Sequence, residues 1–70
     1  MNAEAIQAWI NRRPFQPFVV RLAGGESHEI RHPENVILMR SVMVVAYPET
    51  ERVAFCSLPL ITSVDSQQPA

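Results

Sequence analysis

The two histidines are the first residues whose type and spacing could do chemistry. His28 and His32 lie four positions apart, and on a helix this spacing would put both imidazoles on one metal-binding face. The local pattern instead predicts a strand, in which four residues span about 13 Å. Zinc–nitrogen bonds are about 2 Å long, so one ion cannot bridge the two rings. We therefore expect no metal ion, the alternative being a ligand set of Cys56, His28 and a carboxylate brought together by folding.

Cys56 is the single cysteine and the second candidate for chemistry. Its neighbours Val53–Ser57 have the pattern of a β-strand rather than of a helix N-terminus, so nothing nearby in sequence would activate a thiolate. We expect a buried, unreactive thiol. One cysteine cannot form an intrachain disulfide, and no secretory signal is evident, so a cytoplasmic location is expected.

Arginine supplies all the basic charge, six residues against seven acidic ones, for a formal net charge of -1. Without lysine, Schiff-base chemistry and a phosphate-loop lysine are excluded. The arginines are interleaved with glutamates, which is typical of a solvated surface rather than of a basic nucleic-acid-binding face. The alternative is an RNA- or DNA-binding module, in which Arg12, Arg13 and Arg31, with or without Arg40, would have to converge on one face.

The composition is that of one small globular domain. The chain has 70 residues, of which 47% are hydrophobic, and a chain this short buries only about 60% of its unfolded surface. The adjacent pair Gly24 and Gly25 cannot form a glycine-rich phosphate loop. The longest apolar run, Val42–Tyr47, falls far short of the roughly 20 residues that a membrane helix needs. We expect no catalytic residues, no cofactor, no evident small-molecule substrate and no membrane contact.

The elements that must position these residues begin with a helix. The spacing predicts one over Asn2–Arg12, with Asn2 as the N-cap. Ile6, Trp9 and Ile10 share its apolar face, and the following proline ends it. A helix of this length is marginal alone, so its apolar face must dock on the rest of the domain.

Period-two hydrophobicity then predicts five or six short antiparallel strands. We place them at Phe18–Ala23, Ser27–His32, Val36–Met39, Val42–Tyr47, Arg52–Ser57 and Ile61–Val64. The glycine pair predicts a two-residue primed hairpin turn with positive φ at both positions, and the nearly all-apolar fourth strand is expected to be central or buried on both faces. The sum is a mainly β domain over 1–65 with one N-terminal helix, a strongly bent sheet or small barrel, and a flexible polar tail over 66–70.

The aromatic residues are spaced as anchors of a core or an interface: Trp9, Phe15, Phe18, Tyr47 and Phe55. We expect Trp9 to be largely buried beside Phe15 or Phe18. A core of fewer than about 70–80 residues supplies only a few kcal/mol, and oligomerisation is a common supplement. The function predicted is therefore a non-enzymatic module that acts through protein contacts, with a second copy or another protein as its partner.

Three stretches carry a resemblance to a group of short, uncharacterised bacterial proteins. The run from Arg13 to Gly25 fits the pattern RPFxPFxVxLxxG, His32–Glu34 forms an HPE turn, and Leu58–Val64 is similar to their closing LxxVTSV segment. The group carries no assigned activity, so this resemblance implies a fold and no substrate.

The architecture also resembles the Sm-like fold and related SH3-like small barrels, which combine a bent five-stranded sheet with a short turn before the last strand. Sm-like proteins, including the bacterial RNA chaperone, pair the fourth strand of one subunit with the fifth of the next to form rings, and bind RNA at the pore. This chain has Cys56-Ser57 where those proteins carry a Lys-His pair, and Glu34 near the position of their signature aspartate.

Overall fold

The computed structural model describes residues 1–66, and within them the fold is mainly β with one N-terminal helix, as predicted. In chain order the elements are α1 (Ala3–Ile10), β1 (Phe18–Leu22), β2 (Ser27–Ile30), β3 (Val36–Leu38), β4 (Val42–Tyr47), β5 (Arg52–Ser57) and β6 (Ile61–Ser66). Two short 3₁₀ helices, Pro33–Asn35 and Leu58–Leu60, connect β2 to β3 and β5 to β6. No helix in this part of the chain is long and apolar enough to cross a membrane.

The strands form two three-stranded antiparallel sheets rather than one continuous sheet. The first has the order β2-β1-β6 and the second β3-β4-β5. The all-apolar β4 is central in its sheet, as its sequence predicts. Pairing among residues 1–66 does not close these sheets into a barrel.

The helix begins as predicted and ends two residues early. The Asn2 side-chain oxygen accepts a hydrogen bond from the Ala5 N–H at 2.8 Å, which makes Asn2 the N-cap. The last helical residue is Ile10 rather than Arg12. Proline at position 14 has no N–H to donate to the Ile10 carbonyl, and it disfavours the helical conformation in the residue before it. The Arg13 guanidinium donates to that carbonyl instead, at 3.0 Å.

The core lies between the two sheets and under the helix. Its buried members are Ile6, Phe18, Val20, Ile30, Met43, Val45, Cys56, Leu58 and Ile61. Trp9 packs on Phe18 with ring centroids 5.5 Å apart, and Phe15 packs on the same ring at 6.0 Å. Trp9 is itself partly buried against the core, with Phe18 as its ring neighbour, as expected. Phe55, expected to anchor a core or an interface, is 72% exposed and is therefore not part of the core.

The connections between strands differ from the prediction in two places. Of the two glycines, Gly25 alone has a positive φ, +97°, and a four-residue connection, 23–26, replaces the two-residue primed turn. It is closed by the Leu22 N–H donating to the Glu26 carbonyl at 2.9 Å. The last strand runs on to Ser66, because β6 pairs along the whole of β1 up to Phe18. Ser66 is therefore part of the sheet, and the remainder of the predicted tail, 67–70, lies outside the described residues.

Candidate interaction face

The register of the second sheet decides which side chains point away from the core. Ile37 of β3 pairs with Val44 of β4, which in turn pairs with Phe55 of β5. Cross-strand partners share a face of a sheet, so these three side chains form one row across it. Met43 and Cys56 form a neighbouring pair on the opposite face and are fully buried. The row therefore lies on the outside of the second sheet.

This outer face is apolar along all three strands. By the alternation of β-strands its members are Ile37, Val42, Val44, Ala46, Val53, Phe55 and Ser57. Phe55, Ile37 and Val53 are 72%, 62% and 58% exposed. The set contains no charged residue and a single hydroxyl. Sheets of this kind ordinarily bury one face and solvate the other, giving an alternation of apolar and polar residues. The second sheet lacks that alternation, and we call this surface the apolar face.

The outer face of the first sheet has the opposite character. Arg21 and Asp65 lie on it and form an ion pair with Nε and Oδ2 2.6 Å apart. Glu29 lies on the same face and accepts a hydrogen bond from Arg31 at 3.0 Å. One fold thus carries a charged outer face on one sheet and an uncharged, apolar one on the other.

Sequence reasoning missed the apolar face for an identifiable reason. The odd-numbered and the even-numbered residues of Val42–Tyr47 are both apolar, which predicts burial on both faces of the strand. In the structure Met43 and Val45 are buried, whereas Val42 and Val44 remain partly exposed, because no element of residues 1–66 covers that side. The sequence does carry a signal for the apolar face, because β4 has no polar residues at alternate positions.

The arginines proposed as nucleic-acid contacts are each engaged close to their own position. Arg12 places its guanidinium carbon 4.9 Å from the centre of the Trp9 ring. Arg13 donates to the carbonyls of Ile10 and Arg12 at the end of the helix. Arg31 pairs with Glu29. These contacts hold the three guanidinium groups against the protein, and the Glu29 carboxylate partly neutralises the charge of Arg31.

The two histidines occupy different environments. His28 faces inward from β2 and shares a hydrogen bond with the Tyr47 hydroxyl of the second sheet, Nδ1 and Oη 2.5 Å apart. His32 is exposed after the end of β2. Among residues 1–66 no group of three or more His, Cys, Asp or Glu side chains lies close enough to hold a metal ion.

Burial shapes the titration of two inward-facing groups. It raises the pKa of the Cys56 thiol above its ordinary value of 9.0, and the negative charge of Glu26 adds to the effect. It also raises the pKa of Tyr47 above 10.0, with the nearby Cys56 and Glu29 acting in the same direction and Arg52 opposing them. A buried thiol that holds its proton is a poor nucleophile, which is the opposite of what cysteine catalysis needs.

Comparison with protein-family models, curated proteins and solved structures finds no match to this chain. The interaction face therefore rests on the geometry described above.

Proposed function

We propose that this protein is a non-enzymatic cytoplasmic contact module that self-associates through the apolar face of its second sheet. The observation that supports it is the Ile37–Val44–Phe55 row, an uninterrupted apolar stripe on the outside of the molecule. Leaving such side chains in water forgoes about 25 cal/mol for each Å² that could be buried. Contiguous exposed apolar patches on small proteins mark interaction sites.

A second copy of the chain is the partner that this face fits best. The face carries no charge, so it offers nothing to select a partner of opposite sign, and an uncharged apolar surface is complementary to itself. Three strands about 4.8 Å apart, with up to six residues at about 3.3 Å each, give a face of roughly 15 by 20 Å. Each face covers about 300 Å², so two such faces stacked together would bury roughly 600 Å² in total, about half of the ~1,200 Å² at the lower end of specific interfaces. A contact of this size is weak, and we expect a dissociation constant on the order of 100 μM.

The finer architecture we propose is that of an open Sm-like or SH3-like domain. It is supported by the 3₁₀ helix Leu58–Leu60, which turns the chain from β5 in one sheet to β6 in the other. β5 and β6 are both edge strands, each in a different sheet. The competing mode of assembly is therefore a ring in which β5 of one copy pairs with β6 of the next. The stacked pair has twice the mass of the chain, and a ring has a larger multiple, so a solution mass distinguishes them.

Sedimentation equilibrium between about 5 and 500 μM tests the proposal. We expect the wild-type chain to move from monomer to dimer over this range, and Phe55→Arg to remain monomeric, because it places a charge at the most exposed position of the apolar row. The matched control is Ser27→Arg, which adds the same charge to the outer face of the first sheet and should dimerise like the wild type. A wild-type chain that stays monomeric at 500 μM, or equal effects of the two substitutions, would contradict the proposal.

A further inference from the structure

A half-open cavity of about 350 Å³ lies beside the hydrogen bond between His28 and Tyr47. It is lined by His28 of β2, Tyr47 at the end of β4, Thr50 of the following turn, and Arg52, Val53 and Ala54 of β5. Its walls therefore come from both sheets. Its volume is at the small end of the range of about 300–1,000 Å³ that is usual for ligand sites.

Arg52 is the one permanently charged side chain among those that line this cavity. The Thr50 hydroxyl donates its proton to the Tyr47 carbonyl at 3.4 Å. The Tyr47 hydroxyl and His28 Nδ1 share a hydrogen bond at the edge of the cavity. No carboxylate lines the cavity. The remaining wall is apolar and comes from Val53, Ala54 and the ring of Tyr47.

A second cavity lies on the other side of Tyr47 and has a different lining. Its lining includes Arg31 and His32, but also Glu29 and Glu49. A bound anion would meet both carboxylates there. Of the two cavities beside Tyr47, only the one next to Arg52 is lined by an arginine without a carboxylate.

We propose that the cavity beside Arg52 binds a small organic monocarboxylate. The carboxylate would accept hydrogen bonds from the Arg52 guanidinium, and its hydrocarbon body would lie against Val53 and Ala54. A planar carboxylate matches the fork of a single guanidinium. One permanent cation neutralises one negative charge, which favours a monocarboxylate over a phosphate dianion.

The carboxylate could belong to a free acid or to the C-terminus of a peptide, and the two sources share this chemistry. Phenylacetate serves as the probe for the first source. Acetyl-Leu-Phe with a free carboxyl group serves for the second, and its amidated form lacks the charge. Val53 belongs to both the cavity and the apolar face, so each titration is repeated on the Phe55→Arg variant, which separates this proposal from self-association.

The experiment is an NMR titration of the isotope-labelled full chain with phenylacetate. We expect saturable shifts centred on His28, Thr50 and Arg52, and at least about tenfold weaker binding of the uncharged phenylacetamide. Removing the charge in Arg52→Gln should weaken phenylacetate binding about tenfold, the loss expected for one charge-assisted hydrogen bond. The matched control is Arg40→Gln, which removes the same charge at the opposite end of β4 from the cavity. Arg40 precedes the first residue of β4, whereas Arg52 pairs with Tyr47, its last residue.

Three results would overturn the proposal: no saturable shift with either acid at about 20 mM, shifts centred away from these residues, or equal weakening by Arg40→Gln and Arg52→Gln. Tighter binding of the free peptide than of phenylacetate assigns the site to peptide C-termini. The reverse order assigns it to free acids.

Discussion

The ring of Trp9 lies 5.5 Å from that of Phe18, and this contact joins the helix to the first strand. Phe18 is fully buried and Trp9 only partly, so the helix is held by part of the Trp9 ring together with the fully buried Ile6. We expect Trp9→Ala to lower the free energy of unfolding by about 2–3 kcal/mol, less than the about 3–5 kcal/mol typical of fully buried aromatics. Urea denaturation followed by circular dichroism measures it. Gln7→Ala, an exposed position on the same helix, is the control, and equal midpoints for the two variants would contradict the prediction.

Phe55→Ser should leave the stability of the monomer within about 0.5 kcal/mol of the wild type. The side chain is largely in water already, so its removal opens no cavity. Urea denaturation at about 2 μM, below the expected dissociation constant, measures the monomer alone. Val45→Ala, a truncation on the inner face of the same sheet, provides the contrast and should cost about 1–3 kcal/mol. A large loss for Phe55→Ser would mean that Phe55 is a core residue after all.

The fold should lose stability at alkaline pH. The pKa values of Cys56 and Tyr47 are both raised in the folded protein, so above pH 9 the folded state binds more protons than the unfolded one. Their contribution is fully present below the unfolded pKa values and is lost as pH rises through them toward the folded ones. The chain has one cysteine, one tyrosine and no lysine, so few other side chains titrate in this window.

Urea midpoints measured from pH 8 to pH 11 should therefore fall. In Cys56→Ala the decline should begin about one pH unit later, near the unfolded pKa of tyrosine. A midpoint that is constant over this range would show that neither group is perturbed by folding.

RNA binding through Arg12, Arg13 and Arg31 is expected to be absent. These guanidinium groups are held by Trp9, by helix carbonyls and by Glu29, and the net charge is -1. A filter-binding titration with a single-stranded RNA at about 20 mM salt should detect no complex. Binding that weakens steeply with salt and is lost on replacing the three arginines with glutamine would restore the nucleic-acid alternative.

The sequence predicted β4 and β5 to the residue, because apolar side chains and turn residues are local signals. It could not predict which face of the second sheet stays in water. Both faces of β5 lack charged residues, with Ala54 and Cys56 on one and Val53 and Phe55 on the other, and the packing of the two sheets decides which pair turns inward. The sequence could not predict the His28–Tyr47 contact either, because it joins side chains from different sheets that lie 19 positions apart.

The contrast between the two outer faces limits how far assembly can go. When two copies stack by their apolar faces, the outer surfaces of the pair are the first sheets, which present Arg21, Glu29 and Asp65. A third copy would have to remove those charges from water to join the stack. The contact is also isologous, so a two-fold axis uses the same patch on both copies and leaves none over. Face stacking therefore closes at a dimer and cannot propagate into a filament.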